Sequence, residues 1–353
     1  MLPRRPEFVM GWDVGGAHLK ASCIDAAGQV RGVFQQPCAL WQGLPRLLAA
    51  LDDVLDRGSP GERAAHAVTM TGEMADVFPD RSDGVRSLVD VMARRLGSRR
   101  LGFYAGEAGW LPASGAKARP RAAASCNWHA SACALAERID HALFIDIGST
   151  TADIVPVVGG RVAALGTSDA DRLALGELVY TGVVRTPLMA LAQRIRVGAS
   201  PVPLMAELFA TTADVYRVLG WLPEEADQHP AADGGPKTAA ASRRRLARMV
   251  GCDLRDRPPD VWDGAAAAFA DAQLDLLERA AREVIDRSAL PDTAPLVAAG
   301  VGGFVVERLA HRLGRQVWPY AAALGLGGST DAHWVSWCAP AVAVALLYRE
   351  HRT

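Results

Sequence analysis

Two stretches of this chain share one grammar, and together they limit the folds open to it. FVMGWDVGG (residues 8–16) and ALFIDIGSTTADIVPVV (residues 142–158) each contain a short apolar run that ends in an acid, one apolar residue and a glycine. Runs of this length, stopped by glycine, read as buried strands rather than helices. Each is followed by a second strand-like stretch, HLKASCIDAAGQV and TADIVPVVGGRVAAL, and then by a glycine turn at Gly28 or at Gly159-Gly160. The same strand, turn, strand, turn, strand plan therefore occurs twice, about 130 residues apart, which is the mark of an internal duplication. A length of 353 residues gives room for two domains.

Between and after the repeats, apolar spacing predicts helices over residues 44–55, 85–96, 203–219, 242–250 and 264–288, the last with Leu274, Leu277, Ala281, Val284 and Ile285 on one face. A strand is expected at 66–73, and a Pro, Gly and acid-rich loop at 222–237. Residues 295–314 read as strand, glycine turn and helix, and an apolar helix at 337–348 follows near the end of the chain.

Composition excludes several partners. A formal net charge of -1 lacks the basic face that nucleic-acid binding requires, and the arginine runs at Arg94-Arg95 and Arg243–Arg245 read as solvated helix faces. Arg4 and Arg5 lead directly into the first strand with no apolar leader, and no apolar run is long enough to span a bilayer, so no membrane association is expected. The six cysteines show no framework spacing and read as reduced thiols of a cytoplasmic protein. Cys126, His129 and Cys133 fall on neighbouring helical turns as soft metal ligands would, but no second ligand pair completes a tetrahedral site.

The chemistry concentrates at the glycine turns. Asp13 ends a strand and Gly15-Gly16 follow, which allows a sharp turn whose N–H groups meet an anion. Asp146 stands likewise before Gly148, Ser149, Thr150 and Thr151. An acid beside a phosphate cradle repels the ligand, and two carboxylates ~4 Å apart repel by roughly 4 kcal/mol at an effective dielectric of ~20. Magnesium resolves both repulsions, so Asp13 and Asp146 are the candidate metal ligands. Lys20, one of only three lysines, adds a point charge just beyond the first turn. His18 is either a phosphate donor or a strand residue. The third turn, Gly300 with Gly302 and Gly303 opening a helix, receives a phosphate, a nucleoside or simply close backbone packing.

Asp13-Val-Gly-Gly, Asp146-Ile-Gly-Ser-Thr-Thr and Ala299-Gly300-Val-Gly-Gly resemble the two phosphate motifs and the adenosine motif of the actin/sugar-kinase/Hsp70 superfamily. GWDVGGAHLKAS, TMTGEMADVFPDRSDGV, SCNWHASA, FIDIGSTTADIVP, LGELVYTGVVRTPL and TTADVYRVLG resemble, more narrowly, one family of its hydantoinase A/oxoprolinase-like branch. That family is the (4-{4-[2-(γ-L-glutamylamino)ethyl]phenoxymethyl}furan-2-yl)methanamine synthases of methanopterin biosynthesis, and the resemblance runs from about residue 8 to residue 348.

The resemblance implies an α/β protein of two RNase H-like domains with mixed five-stranded sheets around a central cleft. The first would span residues 1–140, completed by a C-terminal helix at 335–353, and the second residues 141–334. It implies a transferase that condenses an aminomethylfuran-methyl diphosphate with the phenol of γ-glutamyltyramine, releasing pyrophosphate, with Mg2+ as cofactor and no requirement for ATP. Both small molecules would be its partners, and a homo-oligomer is compatible with the sequence.

A phenolic pKa near 10 calls for a base. Glu73 and Asp153 are the candidates. Glu73 serves alternatively as a helix cap or an arginine partner, and Asp153 as a carboxylate that orients a metal-bound water. Asn127, Trp128 and Arg185 are candidates for holding the acceptor, against the alternatives of a core tryptophan and a structural salt bridge. Two other functions stay open at this level: an ATP-dependent kinase or amide hydrolase, and a nucleotide-sensing interaction protein.

Overall fold

The computed structural model describes residues 6–58, 61, 63–97 and 100–351; Arg4 and Arg5 lie outside the described residues. Packing divides the chain into two compact units. The first comprises the described residues up to His141, Val157–Val162 and those from Pro319 onward; the second comprises Ala142–Pro156 and Ala163–Trp318.

The first repeat builds a sheet of β1 (Phe8–Val14), β2 (His18–Asp25), β3 (Val30–Pro37), β4 (Ala65–Met70), β5 (Leu101–Tyr104) and β6 (Trp110–Leu111), ordered β3-β2-β1-β4-β5-β6. The first three strands are antiparallel, while β4 and β5 run parallel to β1. Parallel neighbours need long crossovers, and the helices Leu44–Gly58 and Arg81–Leu96 supply them. The sheet has six strands instead of the expected five. Gly106 and Gly109, both at positive φ, turn the chain back so that Trp110 and Leu111 pair with β5.

Strand alternation gives the two faces different tasks. Met10, Trp12 and Val14 point into a core shared with Leu47, Leu51 and Val54 of one crossover helix and Val85, Leu88 and Met92 of the other. Burying each large side chain contributes about 1.5–3 kcal/mol. On the opposite face, a Cβ at Gly11 would lie 1.9 Å from the Ala341 carbonyl oxygen, and one at Gly102 would lie 2.5 Å from the Tyr348 ring. The helix Ala339–His351 therefore rests its backbone directly on β1, an approach that only glycine permits.

That helix was expected to begin at residue 337, but a separate short helix, Ala332–Trp337, precedes it. Pro340 lacks an N–H and fits the first turn of a helix, where it breaks continuity with the turn before. Residues 319–334 also fall in the first unit, where the Tyr320 hydroxyl donates to the Ser131 carbonyl at 3.0 Å.

The second repeat builds β7 (His141–Ile147), β8 (Ala152–Val158), the short β9 (Arg161–Val162) paired with β8, and β10 (Leu178–Val179). A separate hairpin of β11 (Arg194–Val197) and β12 (Ser200–Pro203) follows, and then β13 (Leu296–Ala299) and β14 (Val317–Pro319). The sheet order is β10-β8-β7-β13-β14, with β10 antiparallel to β8 and β13 parallel to β7. This is the plan of the first sheet over again. The long helix Pro259–Ser288 buries Trp262, Phe269, Leu274, Leu277, Ala281 and Val284 along one face.

Two expectations fail here. Residues 203–219 are not one helix: Pro201 and Pro203 lie extended in β12, and helix Thr212–Val218 starts only at the capping box of Thr211 and Asp214. Arg245 is not on a solvated face. It is 1% exposed and pairs with Asp214 and Asp233, each at 2.8 Å. Among the described residues, no helix is long and apolar enough to cross a membrane.

Candidate functional site

In the first unit, β1 delivers Asp13 to the end of the sheet, 4% exposed. Its register partners are Lys20 on β2 and Thr69 on β4, and Lys20 in turn opposes Gln35 on β3. Opposed residues share a face, with Cβ atoms about 4.5–5.5 Å apart, so Gln35, Lys20, Asp13 and Thr69 make one polar row across four strands. The same face receives the helix Ala339–His351 and the end of the short helix before it: Ser22 Oγ donates to the Ala341 carbonyl at 3.0 Å, and Lys20 Nζ to the Trp337 carbonyl at 3.1 Å. One of the three ammonium donors of Lys20 is thus committed to the chain itself.

The turn after Asp13 differs in detail from expectation. The Gly15 N–H, read as an anion donor, closes the turn on the His18 carbonyl at 3.0 Å, and a Cβ at Gly15 would lie 2.8 Å from that oxygen. Around Gly16 the space is open, and His18 is buried.

Thr71, Gly72 and Glu73 abut this turn. The Thr71 N–H donates to the Val14 carbonyl at 3.0 Å, and a Cβ at Gly72 would lie 3.1 Å from the carbonyl oxygens of both Val14 and Gly15. Glu73 is fully buried in the short helical turn Gly72–Met74 and accepts a hydrogen bond from Ser125 Oγ at 2.7 Å. It does not cap the following helix; Asp80 does, accepting from the Asp83 N–H at 2.9 Å.

Ser125 leads into helix Asn127–Ala136. Asn127 Oδ1 accepts from the Trp128 N–H at 2.7 Å. Trp128 is 8% exposed with its ring edge-on to His129. His129 Nδ1 meets the Tyr104 hydroxyl at 2.9 Å and Cys133 Sγ at 3.5 Å. No group of three or more metal-ligating side chains is found among the described residues.

In the second unit, Asp146 occupies the matching strand end, 7% exposed. The Gly148 N–H closes its turn on the Thr151 carbonyl at 2.9 Å, as Gly15 does in the first unit. Ser149 Oγ and Thr150 Oγ1 lie 3.4 Å apart beside it. The segment after β10 clasps this turn: Val183 N–H donates to the Gly148 carbonyl at 3.1 Å, and those of Val184 and Arg185 to the Ser149 carbonyl at 3.1 and 2.8 Å. Gln273, buried in the long helix, holds the clasp by donating to Thr181 Oγ1 at 2.7 Å and to the Gly182 carbonyl at 2.9 Å, and accepts from the Tyr216 hydroxyl. The Arg185 backbone belongs to the clasp, while the residue as a whole is exposed.

The third glycine turn packs against the second. A Cβ at Gly300, whose φ is +74°, would lie 2.3 Å from both Asp146 Oδ1 and the Ile147 carbonyl oxygen. One at Gly302 would lie 2.6 Å from the Ile147 side chain, whereas Gly303 has open space. Asp153 is buried in an ion pair with Arg172 at 2.8 Å, and Arg172 also donates to the Glu177 carbonyl at 2.7 Å.

Two sheets of one RNase H-like order, each presenting an acid and a glycine turn at the end of its first strand, define a protein of the actin/sugar-kinase/Hsp70 class. Among solved structures the chain is similar to a nucleotide-free acetone carboxylase, described under ATP-dependent acetone carboxylation. The TM-score is 0.58 and the identity 12%, covering 92% of this chain and 70% of that one. Residues 64–326 match the hydantoinase/oxoprolinase family, a stretch that takes in the Asp146 and Gly300 turns but not Asp13.

Two curated relatives are (4-{4-[2-(γ-L-glutamylamino)ethyl]phenoxymethyl}furan-2-yl)methanamine synthases. That of Methanocaldococcus jannaschii is 30% identical over 281 residues, 79% of this chain and 81% of the relative. That of Methanococcus vannielii is 30% identical over 174 residues, 49% of this chain and 77% of the relative. The chain belongs to the hydantoinase/oxoprolinase family and, within it, to the family of these synthases.

Proposed function

We propose that the protein is a biosynthetic transferase that joins an aminomethylfuran-methyl diphosphate to the phenol of γ-glutamyltyramine, forming an aryl ether and releasing pyrophosphate. The observation that carries this reading is the family itself: the product named for the relatives holds one phenoxymethyl link between a phenol oxygen and a furan carbon. Making that link breaks the methylene C–O bond to diphosphate, whose electron pair leaves with the pyrophosphate. The phenol oxygen forms the new bond and gives up its proton.

Four features of the chain support the reading. Asp13 and Asp146 are each a nearly buried carboxylate at a strand end beside a glycine turn, and each offers the hard oxygen that magnesium prefers. Bound there, Mg2+ would supply charge neutralisation for the departing pyrophosphate. Lys20, opposite Asp13, adds a positive charge where the leaving group becomes more negative. Ser149, Thr150 and Thr151, with Gly16 and His18, offer donors for its oxygens. Glu73, beside the Gly15 turn, is the base for the phenol.

Asp153, paired with Arg172, acts as a positioning group. Asn127 and Arg185 hold the polar ends of the acceptor. Close packing of Gly300 and Gly302 on Asp146 and Ile147 accounts for those glycines without a nucleotide.

Isothermal titration separates this reading from a nucleotide-driven one. With magnesium, pyrophosphate binds and ATP is neither bound at comparable affinity nor hydrolysed. Turnover of ATP in the absence of any furan substrate would overturn the proposal.

A further inference from the structure

Ser125 is one of two non-glycine residues at positive φ among the described residues, at +50°; the other, Ala289 at +51°, is the left-handed cap that ends the long helix. Such a cap is an ordinary use of that conformation. Ser125 lies just past the short helix Pro120–Ala123, one residue beyond its C-cap Ala124. It stands before helix Asn127–Ala136, whose N-cap is Cys126, and a serine held left-handed carries a backbone cost that a glycine there would avoid.

From that position the hydroxyl meets a buried carboxylate. Ser125 Oγ donates to Glu73 Oε1 at 2.7 Å across 52 positions of sequence. The backbone that carries Glu73 is held closely as well. A Cβ at Gly84 would lie 2.2 Å from the Glu73 carbonyl oxygen, so helix Arg81–Leu96 presses on its backbone. Gly72 is wedged against the Val14 and Gly15 carbonyls, and the residue itself is fully buried.

We propose that Ser125 is the positioning residue for Glu73: its hydroxyl holds the carboxylate pointed to receive the phenol proton. This rests on the reading of Glu73 as the base. A hydroxyl that donates to a carboxylate stabilises the charged form and lowers its pKa. Without it Glu73 takes up a proton at higher pH, and the acidic limb of the rate profile moves upward.

Glycine relieves the backbone while removing the hydroxyl, so Ser125→Gly isolates the two contributions. The pH dependence of kcat/KM for ether formation is measured for wild type, Ser125→Gly, Ser125→Ala and Glu73→Gln, with thermal melts of each. Ser125→Gly is expected to melt at or above wild type, yet its acidic limb moves up by about one pH unit, so that activity on that limb falls about tenfold. The KM for the furan diphosphate stays unchanged. Ser125→Ala shows the same limb with a lower melting temperature. Loss of turnover in Glu73→Gln with a wild-type limb in Ser125→Gly would overturn this inference alone. Full turnover of Glu73→Gln at every pH would overturn the reading beneath it.

Discussion

Asp13 and Lys20 stand directly opposite one another on β1 and β2, whereas the residue seven positions beyond Asp146 is Asp153, not a lysine. The two repeats keep the acid and the glycine but differ in the charge that follows. In the first the acid faces a cation, and in the second the following acid is neutralised by Arg172 at 2.8 Å. In the proposed reaction Lys20 is the cation offered to the leaving group.

Replacing Lys20 tests that assignment. Lys20→Met is expected to lower kcat by about 10²–10³-fold, the usual cost of removing one preorganised donor to developing charge. Its melting temperature changes little, since the bond to the Trp337 carbonyl is worth only about 1 kcal/mol. Steady-state kinetics and a thermal melt read both quantities.

Asp153 separates a positioning role from a basic one. Asp153→Asn leaves Arg172 buried with its charge uncompensated, and breaking such a pair costs about 3–5 kcal/mol. Denaturant unfolding should show that loss, with partial recovery in the Asp153→Asn, Arg172→Met double variant. A stable but inactive single variant would instead mark Asp153 as the base.

Gly300→Ala drives a methyl group into Asp146 Oδ1 and the Ile147 carbonyl at a φ of +74°, and strain of that kind costs about 1–3 kcal/mol or more. Both stability and turnover are expected to fall, because the displaced group is the acid itself. Gly303→Ala, with open space around it, keeps the stability of wild type. Paired chemical denaturation curves check the contrast.

His66 predicts an acid sensitivity. Trp12 donates to its Nδ1 at 3.2 Å, and burial lowers its pKa from near 6.5 to about 4. The unfolded chain takes up the proton first as pH falls. The contribution is therefore complete above pH 6.5 and is lost progressively down to about pH 4, amounting to ~3 kcal/mol. Melting temperatures from pH 7 to about pH 4 should fall more steeply for wild type than for His66→Gln.

The sheets were legible because acid, glycine and strand recur as a local pattern in both repeats, and so were the helices at 44–55, 85–96 and 264–288, whose apolar spacing is continuous. What escaped depended on contacts far apart in sequence. Arg245 is buried because Asp214 and Asp233 converge on it, which a run of three arginines does not announce. Ser125 carries no local sign of a left-handed backbone, and Gln273 is one polar residue on an otherwise apolar helix face until its bonds to Thr181 and Gly182 are seen. The N–H groups of Gly15 and Gly148 looked free for an anion because a turn closed on itself is indistinguishable in sequence from one closed on a ligand.

The most direct test is incubation of the protein with [5-(aminomethyl)furan-3-yl]methyl diphosphate, γ-glutamyltyramine and magnesium, without ATP, followed by mass spectrometry and a pyrophosphate assay. The account predicts the aryl ether and pyrophosphate in equal amounts, with neither formed once magnesium is chelated. Absence of the ether, or its formation only when ATP is added, would contradict it.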